Sequence, residues 1–290
     1  MEKLLVLALA GACASAGAQT PSANPMPDGS RDMYVGLGAV STPRYEGAQA
    51  RHVAALPVLQ VEWSNGMFVS GMSAGMHWSN QPVLEYGPLL AVQPRRSESG
   101  VDSGLGGVSG ANSPALAPPL NTGIVPPRAT PVRFNRLYGM DEIGARLLAG
   151  GFLNYYLTPQ LRLTGELLYG AGNAHNGARL KLGVQKVATG LAPHHTLALT
   201  AGLTLVNQDE NQAFFGVSKP EAERSFNPAY TASGGVKDVY LGARWNWALT
   251  PGWMLSSGLQ LARLRGSAAS SPLVERSGSV TVSSALAYRF

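Results

Sequence analysis

The sequence predicts an all-β protein that forms a closed antiparallel transmembrane β-barrel of twelve strands, with ten strands as the alternative. Three observations support this fold class. Segments of about ten residues alternate apolar and polar side chains, as strands with one lipid-facing side do. Charged residues make up 13% of the chain, about half of the ~25% in ordinary soluble domains, and 35 residues are glycine. The last alternating segment ends on an aromatic residue, Phe290.

The amino terminus has the parts of a secretory signal peptide. Lys3 precedes an apolar run at residues 4–12, and Ala-x-Ala patterns follow at residues 14–16 and 16–18. The run is shorter than the ~20 residues that a membrane-spanning helix needs. The only cysteine, Cys13, lacks the leucine three residues earlier that is typical of a lipidated cysteine. We therefore predict a cleaved signal peptide at residues 1–18 and a barrel at residues 19–290 in the outer membrane of a Gram-negative bacterium.

Eleven segments have the period-two pattern of a strand. They are residues 33–40, 53–63, 67–78, 83–92, 142–156, 161–167, 180–185, 197–205, 239–247, 253–261 and 279–290. A bacterial barrel with both termini in the periplasm needs an even number of strands. The count of twelve therefore requires one further strand, expected near the first two segments or within residues 93–136.

The carboxy-terminal segment separates its side chains into two faces. Val280, Val282, Leu286, Tyr288 and Phe290 share one side of an extended chain, and small or polar residues share the other. The apolar side suits lipid, although an edge strand of a soluble β-sandwich can alternate in the same way. The final aromatic residue, with Tyr288 and Leu286 before it, resembles the signal that the barrel assembly machinery reads in outer-membrane proteins.

Two long segments interrupt the strand pattern. Residues 93–136 are rich in Gly, Pro, Ser and Ala, and residues 207–235 are polar. Long loops of this kind belong on the extracellular side of such barrels. The arginines of the first loop could be solvated, contact lipopolysaccharide phosphates or fold back as a plug, and solvation is the favoured prediction. They are Arg95, Arg96, Arg128, Arg133 and Arg136.

The inward face of the predicted strands carries charges of both signs. These lumen charges are Glu62, Glu85, Arg146, Arg162, Glu166, Arg179, Lys181, Asp238 and Arg244. In a narrow barrel such groups can pair and fill the lumen, whereas in a wider one they would line a channel. The filled lumen is the slightly favoured prediction.

Three tryptophans flank the short turn at residues 250–252. Trp245, Trp247 and Trp253 suit an aromatic girdle at the periplasmic membrane interface, where an amphipathic ring lies at headgroup level. A buried aromatic cluster is the alternative.

The sequence predicts no catalytic, cofactor-binding or metal-ligating residue. The five histidines have no zinc-type spacing, and His194 and His195 are neighbours whose side chains diverge on a strand. His175 and Asn176 with a rim serine could in principle form a hydrolase site, but every barrel has polar rim residues. The net charge of +5 is spread along the chain and forms no nucleic-acid stripe.

Several stretches together resemble the MipA/OmpV family of outer-membrane proteins, whose name refers to an MltA-interacting protein. They are residues 34–38 (YVGLG), 43–47 (PRYEG), 56–57 (LP), 137–143, 175–177 (HNG), 214–217 (FFGV), 271–274 (SPLV) and 288–290 (YRF). The resemblance covers nearly all of the chain after the signal peptide. The loop at 93–136 is longer than the family pattern.

The resemblance implies a non-enzymatic outer-membrane scaffold that joins murein (peptidoglycan) synthesis to a periplasmic lytic transglycosylase. No catalytic residue carries over from the family. The expected contact segments are the periplasmic turns at residues 155–160, 189–195 and 250–253. A porin-like channel for small solutes and a surface adhesin that uses the long loops are the alternatives.

Overall fold

The computed structural model describes residues 30–78, 81, 83–102, 135–170, 172, 176–189 and 191–290. The predicted signal peptide at residues 1–18 and most of the 93–136 loop lie outside this part. Within the described residues, fourteen strands form: β1 (Arg31–Pro43), β2 (Arg51–Trp63), β3 (Met67–Ser70), β4 (Ser73–Met76), β5 (Leu84–Gln93), β6 (Arg96–Ser97), β7 (Gly100–Val101), β8 (Arg146–Thr158), β9 (Leu161–Tyr169), β10 (Ala178–Ala188), β11 (His195–Val206), β12 (Gly235–Ala248), β13 (Trp253–Leu264) and β14 (Gly278–Arg289). The same part of the chain has helices after β11 and β13: α1 (Gln208–Phe215), α2 (Lys219–Arg224) and α3 (Gly266–Ala269).

Twelve of the strands close into one antiparallel barrel in the order β1-β14-β13-β12-β11-β10-β9-β8-β5-β4-β3-β2. The prediction of a closed twelve-stranded barrel is confirmed. The ring closes because β1 pairs with β2 on one side and with β14 on the other, so that Tyr34 lies opposite both Gln60 and Arg289. Closure leaves no sheet edge between the first and last strands, as hydrocarbon requires.

The twelfth strand is not where the sequence pattern placed it. Residues 67–78 form two short strands, β3 and β4, instead of one. Gly71 turns the chain between them with a φ of 56°, a left-handed conformation that glycine adopts without strain. The expectation of a hidden strand near the first two segments or within 93–136 was therefore wrong. The small β6–β7 ladder in that loop lies outside the barrel ring.

Pro57 lies where β2 has no partner on its β3 side. The carbonyl of Leu59 accepts a hydrogen bond from the amide of Gly71, so the odd-numbered residues of β2 direct their backbone groups toward β3. The pairing of β2 with β3 ends at Gln60 and Ser70, and Pro57 lies beyond it. A proline in this position removes no barrel ladder bond, which is the setting in which strands tolerate proline.

The two ends of the barrel differ. The short-turn end contains the start of β1, the end of β14 and turns whose described residues are 64–66, 159–160, 189, 191–194 and 249–252. The amide of Phe290 donates to the carbonyl of Met33 there, at 2.9 Å. The described residues of the long-loop end are 44–50, 94–102, 135–145, 170, 172, 176–177, 207–234 and 265–277. In a bacterial barrel the short-turn end is periplasmic.

Segments of the long-loop end pack on one another as a cap with its own apolar core. One cluster joins Tyr45, Leu137, Met140, Val217 and Leu273, which come from four different loops. A second cluster joins α1 and α3 to the end of β13, through Phe215, Ala268 and Leu264. Full burial stabilises each large apolar side chain by about 1.5–3 kcal/mol. The cap is thus a packed unit across the barrel mouth.

Local sequence explains where the cap helices begin. The side chain of Asn207 accepts from the amide of Glu210 and caps α1. Ser218 caps α2 in a reciprocal capping box with Glu221, and Pro220 lies in the first turn. The 207–235 segment was predicted only as a polar loop, because helices of eight and six residues give little periodic signal.

Candidate functional site

The barrel interior is the candidate site, since all nine predicted lumen charges occupy inward-facing strand positions. Each charge is an even number of positions away from buried residues of its strand and therefore shares their face. Examples are Arg162 with Leu168 on β9 and Arg179 with Gln185 on β10. The outward positions between them are exposed leucines and valines. The structure sorts the nine charges into two bands near the barrel ends and a middle level.

The band nearest the cap is organised by a β-bulge. The pairing of β11 with β12 shifts between Thr204 and Leu205, which makes Lys237 an extra residue. Lys237 and Asp238 therefore are both buried. The Lys237 ammonium donates to both carboxylate oxygens of Glu46 at 2.9 Å and lies 3.4 Å from Asp238. The hydroxyl of Thr204 donates to Asp238 at 2.9 Å.

Two further charge pairs complete this band. Arg179 on β10 lies 3.9 Å from Glu210 of α1, and both side chains are buried. Burial raises the pKa of Glu210 above its ordinary value, and the charge of Arg179 opposes this shift. Lys181 lies directly opposite Glu166 on β9. The band thus connects the strand wall to the cap through buried charges.

The band at the short-turn end centres on Arg162. Its buried guanidinium donates to Gln185 and to the hydroxyl of Tyr156, both at 2.7 Å, and to Glu85 at 3.4 Å. Asn154 also donates to Glu85, at 3.1 Å. Two nitrogens of the guanidinium, Nε and Nη1, thereby have acceptors, and hydrogen bonding of this kind offsets part of the cost of burying a charge.

Apolar side chains fill the lumen along the β2–β8 wall. Phe68 and Phe152 meet edge to face with ring centroids 5.8 Å apart, and Leu89, Leu148 and Leu168 complete the cluster. The middle level along β11–β13 differs, because its inward side chains are only half-buried.

The loop arginines do not share one environment. Arg96 is buried in the cap and donates to the carbonyl of Phe214 at 2.7 Å. Burial lowers its pKa to about 10, so it stays charged at neutral pH, and the charge of Glu221 opposes the shift. The prediction of solvation was wrong for Arg96, because its backbone pairs with Ile143 and its side chain packs against Phe214 of another loop. Arg95 and Arg136 are exposed, and Arg95 pairs with Glu142 at 2.6 Å; Arg128 and Arg133 lie outside the described residues.

Sequence patterns missed three charged residues of the interior. Lys237 is at an odd position, and the other odd positions of β12 face outward. The bulge turns Lys237 inward. Glu46 and Glu210 lie in loops, where no periodicity assigns a face. The paired charges Lys237-Asp238 at the start of β12 were the one available signal for a bulge, since regular alternation would send one of them toward lipid.

The three predicted girdle tryptophans lie at the short-turn end. Trp245 and Trp253 are exposed on the outer surface, and Trp247 is half-buried. His195 stacks on both Trp245 and Trp247, with ring centroids 5.5 and 5.3 Å apart, and accepts a hydrogen bond at Nδ1 from the indole of Trp245. The amphipathic rings therefore form a stack on the barrel wall beside the short turns.

The carboxy-terminal signal residues share the outer face of β14. Leu286, Tyr288 and Phe290 are all exposed. The ring of Tyr288 contacts Trp253 and Phe290 edge to face, at centroid distances of 5.1 and 5.0 Å. Trp253, Tyr288 and Phe290 thus form a second aromatic group at the short-turn end, beside β13 and β14.

Each predicted contact turn has an exposed leucine in it or directly beside it. Leu157 lies in the segment 155–160, and Leu191 lies in the segment 189–195. Leu249 directly precedes the segment 250–253 and is exposed as well. The short-turn end therefore presents three exposed leucines close to its rim.

The residues that the structure describes contain no group of three or more His, Cys, Asp or Glu placed to hold a metal ion. His194 and His195 adjoin each other at the short-turn end, and His175 lies outside the described part. Within the described ranges, no helix is long and apolar enough to cross a membrane.

Solved structures that resemble the chain are β-barrels of low sequence identity. The NanC porin is 9% identical with a TM-score of 0.43, over 90% of this chain and 100% of that one. An outer membrane channel from Pseudomonas putida F1 is 13% identical with a TM-score of 0.41, over 92% and 98%. The translocator domain of autotransporter NalP from Neisseria meningitidis is 11% identical with a TM-score of 0.40, over 92% and 91%. A search of curated proteins found no match.

A comparison with protein-family models gives a stronger result. The model described as "MltA-interacting protein MipA" matches residues 35–290, from the first barrel strand to the last residue. Because this match spans most of the sequence, the chain belongs to the MltA-interacting protein MipA family.

Proposed function

We propose that this protein is a non-enzymatic outer-membrane scaffold whose short-turn end binds periplasmic murein enzymes, a lytic transglycosylase and a murein synthase. The family name carries the first of these partners. One structural observation supports the location of the contact: exposed leucines lie at or beside three of the short turns. Contiguous exposed apolar patches mark protein interaction sites, and the proposal requires these leucines to act together as one.

The proposal includes export and insertion. Residues 1–18 act as a cleaved signal peptide, and the barrel machinery inserts the chain with the short turns in the periplasm. Intact-mass measurement of the membrane-extracted protein tests the first step. A mass that retains residues 1–18 would contradict it.

Affinity capture from periplasmic extract tests the scaffold. The full barrel in detergent is expected to enrich a lytic transglycosylase and a murein synthase over an unrelated outer-membrane barrel. Leu157→Asp with Leu191→Asp is expected to abolish that enrichment. Phe226→Ser provides the matched control, since Phe226 is an exposed apolar residue at the long-loop end. Equal recovery of the murein enzymes by the parent barrel, the double variant, Phe226→Ser and the unrelated barrel would contradict the scaffold.

A porin-like channel is the second candidate, and the half-buried inward charges Lys181 and Arg244 favour it. The cap across the long-loop end opposes it. Planar-bilayer recordings distinguish the two: a channel gives steady conductance whose ion selectivity changes in Arg244→Glu. An electrically silent barrel would eliminate the channel.

A surface adhesin is the third candidate. Tyr138 and Phe226 stack at the long-loop end with centroids 6.3 Å apart, and Phe226 is 78% exposed. Loss of surface binding after deletion of residues 100–127, or in Phe226→Ser, would support an adhesin. Unchanged binding in both variants would eliminate it.

A further inference from the structure

The apolar outer face of the barrel ends in arginines on one side of the long-loop end. On β13, exposed Leu259 and Leu261 are followed on the same face by exposed Arg263. On β2, Val53 is 68% exposed, and the next outward residue toward the long-loop end is exposed Arg51. The positive charges therefore begin where the apolar surface stops.

The height of this boundary follows from Trp253, which lies at the short-turn end of the same outer face of β13. Trp253 and Arg263 are ten positions apart, or about 33 Å along the strand. A strand tilted by about 40° spans about 25 Å of membrane over that length, which is the height of the apolar band in outer-membrane barrels. With the short turns in the periplasm, Arg263 lies at the headgroup level of the outer leaflet.

Arg265 extends the positive charge above Arg263. The residue between them, Leu264, is buried in the cap cluster with Phe215 and Ala268. Arg265 has an extended backbone, with φ −136° and ψ 170°, and its side chain is exposed on the side opposite to Leu264. Within the described part of the chain, neither Arg263 nor Arg265 has a side-chain hydrogen bond or an ion pair. No described residue therefore neutralises these two charges.

Arg51 is held on the outer wall by hydrogen bonds to two other strands. Its Nη1 donates to the carbonyl of Val280 on β14 at 2.6 Å, and its Nη2 donates to the carbonyl of Ser41 on β1 at 2.9 Å. The pairing of β1 with β14 ends at Ser41 and Val282, so the arginine replaces ladder bonds at this point. Both acceptors are neutral, so they leave the positive charge of Arg51 uncompensated beside β14.

Gly278 separates these charged groups without a side chain. It lies opposite Arg263 on β14, and Val280 lies two residues further along that strand. With about 4.8 Å between strands and about 6.6 Å along the strand, the backbones of Arg263 and Val280 are about 8 Å apart. A Cβ atom added at Gly278 would have no described atom within 4 Å. Among the described residues, the outer wall is therefore open between Arg263 and the guanidinium of Arg51.

Arg51, Arg263 and Arg265, which we name the arginine patch, together carry a net positive charge. The loop at residues 265–277 adds one further charge of each sign, Arg276 and Glu275, both exposed. These two charges balance each other. A surface of this kind suits a ligand with more than one negative charge.

We propose that the arginine patch binds the phosphorylated headgroup of an outer-leaflet glycolipid, the lipid A part of lipopolysaccharide. Arginine forms paired, charge-assisted hydrogen bonds with phosphate oxygens. Lipid A carries two phosphates on a disaccharide, so one molecule can contact Arg51 and Arg263 together. Its acyl chains then lie along Leu261 and Val53 on the apolar surface below. The inference rests on the proposed orientation, with the short turns in the periplasm, and does not depend on the scaffold.

Binding of lipids to the full barrel in detergent, measured by native mass spectrometry, tests the proposal. The probes are bisphosphorylated lipid A, the same lipid with both phosphates removed, and inorganic phosphate as a competitor. The phosphorylated lipid is expected to bind at least about tenfold more tightly than the dephosphorylated one, which lacks the charge-assisted hydrogen bonds. Equal affinity for the two lipids, or binding of neither, would overturn the patch. Displacement of the phosphorylated lipid by an equal concentration of inorganic phosphate would overturn the choice of a lipid.

Variants locate the binding site on the outer wall. Arg263→Gln with Arg265→Gln is expected to reduce the preference for phosphorylated lipid A at least about threefold, and adding Arg51→Gln is expected to remove it. Because Arg51 also hydrogen-bonds to two strand ends, the double variant tests the patch even if the triple variant fails to fold. Heat-dependent gel mobility verifies that each variant is folded.

Lys186→Gln is the matched control for these variants. Lys186 is an exposed cation on the outer face of β10, at the short-turn end, and its substitution should leave the lipid preference unchanged. An unchanged preference in the Arg263→Gln, Arg265→Gln double variant would overturn the assignment. An equal loss in Lys186→Gln would overturn it as well.

A separate measurement checks the orientation on which the inference rests. Phe226 is exposed at the long-loop end, and the chain's one cysteine, Cys13, lies in the predicted signal peptide. A membrane-impermeant maleimide should therefore label Phe226→Cys in intact cells. Absence of labelling would overturn the orientation and with it the lipid assignment, whereas labelling without lipid A binding would overturn the patch alone. A barrel that captures murein enzymes but does not prefer phosphorylated lipid A would contradict the patch and not the scaffold.

Discussion

The ammonium group of Lys237 donates to both carboxylate oxygens of Glu46 at 2.9 Å and thereby joins two residues that are 191 positions apart in the sequence. The contact depends on the bulge in β12, which turns Lys237 inward beside Asp238. It connects the first loop of the long-loop end to β12, a strand of the barrel wall that comes much later in the sequence. Lys237 is buried, whereas the side chain of Glu46 is 52% exposed.

The two partners of this ion pair are expected to differ in importance. Lys237→Met leaves the buried carboxylate of Asp238 without its cation and is expected to destabilise the barrel by about 3–5 kcal/mol. Glu46→Gln removes a half-exposed group and is expected to cost about 1 kcal/mol or less. Unfolding in urea, followed by tryptophan fluorescence, measures both. Equal losses would show that Asp238 does not depend on Lys237.

Substitution of Arg162 is expected to lower the free energy of unfolding far more than substitution of an arginine on the surface of the cap. Arg162→Met leaves Glu85 without a cation and Gln185 without a donor, at an expected cost of about 3–5 kcal/mol. Arg224→Gln is the control, because Arg224 pairs with Asp141 at 2.7 Å on the exposed surface. That control is expected to leave the unfolding midpoint nearly unchanged. A comparable shift in both variants would contradict this account.

Gly202 is expected to tolerate no side chain. A Cβ atom there would lie 2.3 Å from the carbonyl oxygen of Leu182 and 2.5 Å from the hydroxyl of Tyr240. Gly202→Val is expected to destabilise the barrel by about 1–3 kcal/mol, through displacement of backbone and ring. Gly278→Ala is the matched control, since no atom lies within 4 Å of its added Cβ. The midpoint of heat-dependent gel mobility compares the two, and equal midpoints would refute the packing described here.

Glu210 is expected to make the cap less stable as pH rises. Burial raises its pKa above the ordinary 4.5, with Arg179 opposing, so ionisation costs free energy in the folded state. This cost is absent below the ordinary pKa and is complete above the raised one. Glu210→Gln removes this cost and also removes the counter-ion of Arg179, which acts at every pH. The ratio of variant to parent hydrogen-exchange rates in α1 should therefore fall between low pH and pH 8.

The exposed neighbour Asp209 provides the control for that measurement. It lies in the first turn of the same helix, where a negative charge is favourable. Asp209→Asn is therefore expected to give no such fall in the ratio of exchange rates. A fall in both variants would attribute the effect to the net charge of the helix instead of to burial of Glu210.

Some features of the interior could be predicted from the sequence, and others could not. The inward direction of Arg162 and Arg179 follows from alternation within their own strands. Their partners do not follow from it: Glu85 comes from β5 and Glu210 from a loop helix. A pattern of one strand contains no information on which distant strand or loop closes over it.

The sequence by itself determined that the chain forms strands and which face of each strand meets lipid. This is because side-chain direction in a strand depends only on position parity, a local property. Only the tertiary structure decided that Lys237 turns inward, that residues 67–78 split into a hairpin and that Arg96 is buried under a cap. These features depend on the pairing register and on loop contacts between residues far apart in the chain, and such contacts exist only once the barrel has closed.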